Sequence, residues 1–322
     1  MKTLLKVFTW LTLSYLACIA SLPVNAQAKF PTKPIEMIVP WGPGGGADTL
    51  GRLSARWFEV DLKVSVPVIN LPGAVGSIGL QKMILNGSEG YSIGVMTTDT
   101  LTLAAFPDSN FKFNETVALG VMIRQPSGIF AKYDGPFKSW DEVIAASKEK
   151  PGSVDIAITG ANTPDEATVD YLKSKGVDLL NVPFTKPSDR YVSVLGGHVQ
   201  LLYEQAGDVK GFLETKKLRP LLFFATKRLP PPFADIPVSA EFGYDVLLPQ
   251  TRSIMAKRGA DPKALEAMSN SLAKLSATPE FQNFLKEQFA APDSFIPMKE
   301  AQKFLDGELL AFKKVKKLDG MK

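Results

Sequence analysis

The chain alternates short apolar runs with amphipathic stretches along most of its length. Short runs rich in Val, Ile, Leu and Phe predict buried strands, and apolar positions that recur every three or four residues predict helices. The predicted strands cover 35–39, 66–70, 92–96, 118–123, 129–131, 155–158, 179–182, 200–203 and 218–225. The predicted helices include 50–57, 140–148, 164–175, 189–195, 262–276, 279–289 and 299–316. This alternation indicates an α/β fold whose sheets are largely parallel.

The N-terminus carries a basic start followed by an uncharged, mostly apolar stretch over residues 7–28. That pattern is typical of a secretory signal peptide, and small residues at 24, 26 and 28 suit the signal peptidase. We therefore predict a signal peptide over residues 1–26, a mature chain beginning at Gln27 or Lys29, and a periplasmic location. Two alternatives stay open, an uncleaved membrane anchor and a lipoprotein attached through Cys18.

Composition narrows the possible chemistry, because the chain has one Cys and one His. A His/Cys metal cluster or a disulfide needs more than that, and any catalytic triad would depend on His198 alone. We expect no metal and no cofactor. The net charge of +4 falls to +2 once Lys2 and Lys6 leave with the signal peptide, so nucleic acid is not an expected partner. The lysines of 313–317 fit a solvated helix end.

A glycine-rich loop, Gly44-Gly45-Gly46, follows the first predicted strand and precedes a helix. Glycines let backbone N–H groups approach a ligand at the positive end of a helix, which suits an anion. The loop lacks the lysine of a phosphate-binding P-loop and matches the dinucleotide fingerprint only in a relaxed form. A loop that only turns the chain is an equal alternative. A second glycine-rich run, 72–79, follows the next strand in the same way.

Motifs spread over the mature chain resemble those of the Bug proteins, the periplasmic solute-binding receptors of tripartite tricarboxylate transporters. The matching stretches are 33–41 with 44–48, 70–79, 90–91, 182–184, 195–199, 217–219, 225–228 and 235–238. The resemblance implies a type II periplasmic-binding fold with two α/β domains, a hinge crossed twice and a ligand in the interdomain cleft. It places the first domain at 27–125 plus 225–322 and the second at 126–224.

The resemblance also implies a carboxylate site on the first domain. Backbone amides of the loop after the first strand and hydroxyls at the end of the next strand would hold the anion. The residues at those positions are Trp41, Gly42, Pro43, Gly44, Gly45, Gly46, Ala47, Thr97 and Thr98. Asp48 is expected to cap the helix. Trp41 forms either an apolar wall of the cleft or part of the core.

The opposite domain contributes a second loop in the same resemblance, formed by Thr159, Gly160, Ala161, Asn162 and Thr163. Thr163, Pro164 and Glu166 predict a capping box, and two acids in this first turn weaken its positive dipole. Glu204 and Asp99 add acceptors near the expected cleft. We therefore hypothesise a ligand with one carboxylate and a neutral or amine-bearing far end.

Arg252 is the one cation that the sequence places near the expected cleft. It either reaches inward to hold a carboxylate or lies at the surface beside an acid. An inward Arg252 would weaken the charge argument against a second carboxylate.

The function expected from these features is capture of a small carboxylate by a monomeric receptor for membrane transporter subunits. A receptor that serves a sensor kinase is an open alternative. A periplasmic enzyme is the third reading, and it would have to rely on Glu204, Asp99 and Asp165 for acid–base chemistry. His198 is expected in a surface loop outside the site.

Overall fold

The protein, as a computed structural model, is described over residues 30–317, and its strands form two sheets. The predicted signal peptide, Cys18 and the last five residues lie outside this range. The strands are β1 (Glu36–Val39), β2 (Val68–Asn70), β3 (Ser92–Thr97), β4 (Thr116–Gln125), β5 (Ser127–Lys132), β6 (Val154–Ile158), β7 (Leu179–Pro183), β8 (Leu201–Gln205), β9 (Leu218–Phe223), β10 (Gln250–Lys257) and β11 (Ile296–Pro297).

The helices lie between these strands, mostly where the periodicity predicts them. They are α1 (Gly46–Leu62), α2 (Ser77–Asn86), α3 (Thr98–Thr102), α4 (Trp140–Glu149), α5 (Pro164–Ser174), α6 (Pro187–Leu195), α7 (Lys210–Glu214), α8 (Pro262–Ser276), α9 (Pro279–Glu287) and α10 (Met298–Val315). Proline at the first helical position begins α5, α6, α8 and α9, where its missing N–H costs nothing. The predicted α/β class is confirmed.

The two sheets are mixed, so the expectation of largely parallel sheets is wrong. The first sheet has the order β11-β4-β10-β3-β1-β2, and the second has β7-β6-β8-β5-β9. In the first, β1 pairs in parallel with β2 and β3, whereas β10 runs antiparallel to β3 and β4. In the second, β6 is parallel to β7 and β8, whereas β5 is antiparallel to β8 and β9. A strand buried on both faces carries the same apolar pattern in either direction, so the sequence could not reveal this.

Strand β10 is absent from the sequence-based prediction, although it lies between β3 and β4 in the first sheet. It begins with Gln250, Thr251, Arg252 and Ser253, all of them buried. Four polar residues in succession do not form the apolar run by which a buried strand is predicted from sequence. They are polar because this end of the strand faces the region between the sheets.

The chain passes between the sheets twice, from β4 to β5 through Pro126 and again before β10. Residues just after β9 still pack with the second sheet: Phe233 and Val238 share a core with Phe130, and Tyr244 and Leu248 belong to its other core. These contacts favour a return to the first sheet near residue 249. The domain division at 125/126 and 224/225 stays a prediction.

Helix α10 joins the two parts of the structure on one side. It packs along β4 and β11 of the first sheet, and its last turn reaches α5 of the second. Phe312 is fully buried in the core that contains Trp140, and Lys316 pairs with Glu166 and Asp170 of α5. The C-terminal helix therefore holds the second sheet as well as the first.

Candidate functional site

A cleft of about 580 Å³ of empty volume, solvent-open mouth included, lies between the two sheets. Residues of both sheets line it: Trp41, Gly45, Gly46, Ala47, Thr97, Asp99, Ser127, Thr159, Pro164, Asp165, Pro187, Arg190, Tyr191, Tyr203, Glu204, Gln205, Asp208, Leu248, Pro249, Gln250 and Arg252. Among the predicted residues, Gly42, Pro43, Gly44, Thr98, Gly160, Ala161, Asn162 and Thr163 are not part of this lining. The carboxyl ends of β1, β3 and β8 meet here, which is where α/β sheets ordinarily bind ligands.

The loop after β1 brings the start of α1 to the cleft. Gly46 and Ala47 are the first residues of α1, and helix geometry leaves their N–H groups without an intrahelical acceptor. The expected side-chain cap is not formed, because Gly45 occupies the capping position. Asp48 instead accepts from the Gly44 amide at 3.1 Å, so that amide is already bonded.

Burial opposes ionisation of Asp48, but hydrogen bonds from Arg52, Asn70 and Gly44 outweigh it and lower the pKa of this carboxyl. Asn70 Nδ2 also donates to the Trp41 carbonyl at 3.0 Å, which ties the end of β2 to the loop after β1. Asp48 is thus a charged anchor for the loop, outside the cleft lining.

Trp41 combines both roles that its sequence position left open. The residue is 7% exposed and lines the cleft. Its indole Nε1 makes no hydrogen bond within residues 30–317. A buried donor without an acceptor is costly, and a ligand oxygen would relieve that cost. Trp41, Gly46 and Ala47 together give the first-sheet wall three hydrogen-bond donors, one indole N–H and two backbone amides.

The two threonines at the end of β3 have different surroundings. Thr97 lines the cleft. Its hydroxyl lies close enough to Asp99 to oppose, in part, the rise in the pKa of that carboxyl, although the two groups do not form a hydrogen bond of ordinary geometry. The Thr98 hydroxyl accepts from the Thr251 amide at 2.8 Å, and the Thr98 amide donates to Gln250 Oε1 at 2.9 Å. Thr98 therefore joins α3 to β10.

The loop before α5 does not form the predicted capping box. The Thr163 hydroxyl is a donor toward the Gly160 carbonyl and Asp165, and it accepts no hydrogen bond from the Glu166 amide, which a capping box would require. Asp165 accepts from the Thr159 amide at 2.5 Å, and Glu166 accepts from the Asn162 amide at 2.9 Å. The two acids of this first turn bind the amides of their own loop, which leaves those amides unavailable to a ligand anion.

Arg190 is a cleft residue that the sequence did not indicate. It lies on α6, donates through Nη2 to Glu204 at 2.5 Å and through Nη1 to the Thr159 hydroxyl at 2.8 Å, and is buried. An arginine in an amphipathic helix looks like any surface cation in sequence. Only the pairing of β8 beside β6 shows that Glu204 lies opposite it.

Arg252 points inward and is also paired. Its Nη2 forms an ion pair with Asp208 Oδ2, and the two side chains are 3% and 6% exposed. Arg252 is the third residue of β10 in the first sheet, whereas Asp208 follows β8 of the second, so the pair crosses the cleft. Asp208 lies in a turn after Gly207, and no sequence pattern predicted that it would lie at the cleft.

The cleft contains more buried acids than bases. Asp99, Asp165, Glu204 and Asp208 face only Arg190 and Arg252, which gives a net charge of −2 when all are ionised. Burial raises the pKa of Asp99 to about 6, and the neighbouring charge of Asp165 adds to the effect. Burial likewise raises the pKa of Asp165, and it raises the pKa of Asp208 to about 6 despite Arg252.

Neither a metal cluster nor a membrane-spanning helix occurs in the described part of the chain. Residues 30–317 contain no group of three or more His, Cys, Asp or Glu that could hold an ion, and none of their helices is long and apolar enough to cross a bilayer. His198 lies exposed after α6, outside the cleft lining.

Comparison with known proteins agrees with this geometry. A family model described as the tripartite tricarboxylate transporter family receptor matches residues 52–315. BugT of Bordetella pertussis is 27% identical over 256 residues, which cover 78% of this chain and 78% of BugT. The solved periplasmic binding protein BugD has a TM-score of 0.81 at 22% identity and covers 90% of this chain and 98% of its own.

A Rhodopseudomonas palustris protein solved with adipate has a TM-score of 0.83 at 21% identity, covering 90% of this chain and 98% of that one. At these identities the solved structures establish the fold, a periplasmic-binding architecture with a cleft between two α/β parts. The family match spans most of the chain. The protein therefore belongs to the family of tripartite tricarboxylate transporter receptors.

Proposed function

We propose that the protein captures a small carboxylate-containing metabolite in the cleft and delivers it to the membrane subunits of a tripartite tricarboxylate-type transporter. The observation that carries the proposal is the donor wall at the start of α1, where Trp41, Gly46 and Ala47 line the cleft and the buried Trp41 indole N–H has no acceptor among the described residues. Helix N-termini favour anions through their free amides and their dipole. The adipate bound by the similar R. palustris protein supports a carboxylate here.

The far end of the ligand, in this proposal, is neutral or carries an amine. The amides of the loop before α5 are already bonded to Asp165 and Glu166, so that side offers little to a second carboxylate. Asp99 and Asp165 instead place two buried carboxyls on opposite sides of the cleft. Burying net negative charge is costly, and a ligand ammonium group would offset that cost.

The location and the partner belong to the same proposal. The first 26 residues act as a cleaved signal peptide, the mature protein is a periplasmic monomer, and it presents the closed, loaded form to its transporter. The similar solved proteins are described as periplasmic, which supports this location. The proposal includes binding without catalysis, which is supported by a lining that, among the described residues, has neither His nor Cys beside its carboxylates. A sensor kinase is the alternative partner, which co-purification with membrane proteins would distinguish.

A thermal-shift screen of small carboxylates tests the capture step, because a ligand that binds only the folded protein raises its melting temperature. The matched variants are Trp41→Phe, which removes the indole N–H from the cleft, and Trp57→Phe, which removes an N–H bonded to the Ser271 carbonyl. We expect Trp41→Phe to weaken the response to carboxylates and Trp57→Phe to lower stability while leaving that response intact. No shift with any carboxylate would contradict the proposed function.

An Asp99→Asn variant tests the proposed amine end. It should weaken binding of an amino-carboxylate by about tenfold, the effect of losing one buried charge partner, and leave a plain monocarboxylate nearly unaffected. Asp108→Asn, at an exposed position of the same part of the chain, is the control. Equal losses for both ligands in Asp99→Asn would remove the support for an ammonium group.

A further inference from the structure

The Asp208 carboxylate lies against Gly46 at the start of α1. Asp208 Oδ1 and the Arg252 guanidinium both rest against Gly46, so closely that a methyl group on Gly46 would overlap both. Gly46 is the first residue of the helix whose free amides attract negative charge. The protein thus supplies a carboxylate of its own where the proposed function needs a ligand carboxylate.

Only one of the two oxygens of the Asp208 carboxylate has a hydrogen-bond partner among the described residues. Its Oδ2 pairs with Arg252, whereas its Oδ1 is buried and makes no hydrogen bond within the described residues, although it touches Gly46. Arg252 Nε is likewise without an acceptor there. A buried carboxylate with one unbonded oxygen is held less well than one whose two oxygens both accept hydrogen bonds.

A ligand carboxylate at the same place has more donors available. Arg252, Gly46, Ala47 and Trp41 all line the cleft, and their guanidinium, backbone and indole N–H groups are the donors that we expect it to use. The close contact at Gly46 shows that Asp208 and Arg252 already fill the space beside this residue, which a ligand carboxylate bound there would need. The two carboxylates therefore exclude each other.

We propose that Asp208 is an internal competitor, which occupies the anion position across the closed cleft until a ligand carboxylate displaces it and which thereby sets the affinity for carboxylates. The inference rests on the proposed function. Because Asp208 comes from the second-sheet side and Arg252 from the first, the pair also holds the ligand-free cleft closed. Displacement moves the Asp208 charge to the mouth of the cleft.

The test measures binding of acetate, a carboxylate without a second functional group, by calorimetry. Asp208→Asn keeps the size of the side chain and removes its charge, and Asp208→Ser is a smaller second variant in case the first folds poorly. Asp178→Asn is the matched control, because it removes an ion pair with Lys173 that lies outside the cleft. We expect both Asp208 variants to bind acetate on the order of tenfold more tightly than the wild type, and the control to be unchanged.

Small-angle scattering of the ligand-free proteins supplies a second readout, in which the Asp208 variants should be more open than the wild type. Unchanged or weaker acetate binding in both folded variants would overturn the proposal, because Asp208 would then only hold the Arg252 side chain in position through their ion pair. If acetate binding is unchanged or weaker in the variants but the wild type still responds to a carboxylate in the thermal-shift screen, only the competitor role is overturned and the proposed function stands. If no protein in the set binds any carboxylate, the proposed function fails as well.

Discussion

At the scale of single residues, contact with Gly46 decides what the cleft can hold. Because a side chain there would overlap Arg252 and Asp208, Gly46→Ala fills the anion position with a methyl group. We expect this variant to lose carboxylate affinity by about tenfold or more while remaining folded, since alanine is a better helix former than glycine by about 1 kcal/mol. Calorimetry measures the affinity.

Gly42→Ala is the control for that substitution, because a methyl group on Gly42 meets nothing within 4 Å. It should bind carboxylates like the wild type. If Gly46→Ala also bound them normally, the anion position would have to lie elsewhere in the cleft.

From the sequence, a position at the cleft could be predicted where a side chain follows a strand end, and could not be predicted where the role of the side chain depends on a partner. Three residues that line the cleft follow the ends of predicted strands, namely Trp41, Thr97 and Glu204. Arg252 also lines it and was singled out through the family resemblance. Arg190 and Asp208 line it too, but each matters because of an ion partner distant in sequence. No local pattern shows which acid will face which base.

At the scale of elements, α10 is the helix that holds both sheets, and its two faces should respond differently to truncation. Phe312 is fully buried and packs edge-on against Phe106, whereas Leu310 on the same helix is 51% exposed. Phe312→Ala should lower the free energy of unfolding by about 3–5 kcal/mol through a core cavity, and Leu310→Ala should change it by less than about 0.5 kcal/mol. Urea unfolding measures both, and equal effects would contradict this packing.

Elements with a strong apolar period were predictable, as α8 shows by matching its predicted range of 262–276. Strand β10 was not, because its polar first half is buried against the cleft and breaks the apolar run. Strand direction could not be predicted either, because a strand buried on both faces has the same apolar pattern whichever way it runs. The polar residues at the start of β10 contribute to the site, and the same residues kept the strand from being predicted.

At the scale of the whole molecule, the excess of buried acids in the cleft makes stability depend on pH. Asp99 faces Asp165, Arg190 and Gln250, and its pKa near 6 exceeds its usual value of 3.8 because of burial. The native state therefore binds this proton more tightly than the unfolded chain does, so stability falls as pH rises between about 4 and about 7. The loss is on the order of 3 kcal/mol for such a group.

Urea unfolding between about pH 4.5 and about pH 7.5, in buffers without carboxylates, measures this dependence. Asp99→Asn should flatten the slope, and Asp108→Asn should not. Groups whose pKa is lowered, such as Asp48 and Glu241, act mainly below this window and do not mask it. A stability that rises with pH across the window, with no response to Asp99→Asn, would contradict the burial of an ionisable Asp99.

The central claim is that the cleft takes one carboxylate and not two. Calorimetry with ligands of matched length tests it most directly, and γ-aminobutyrate, butyrate and succinate form one such set. Because the donor wall at α1 accepts one carboxylate and the cleft also contains the buried acids Asp99 and Asp165, the amino-carboxylate should bind most tightly and the dicarboxylate least. Tighter binding of succinate than of γ-aminobutyrate, repeated with longer matched pairs, would contradict the account.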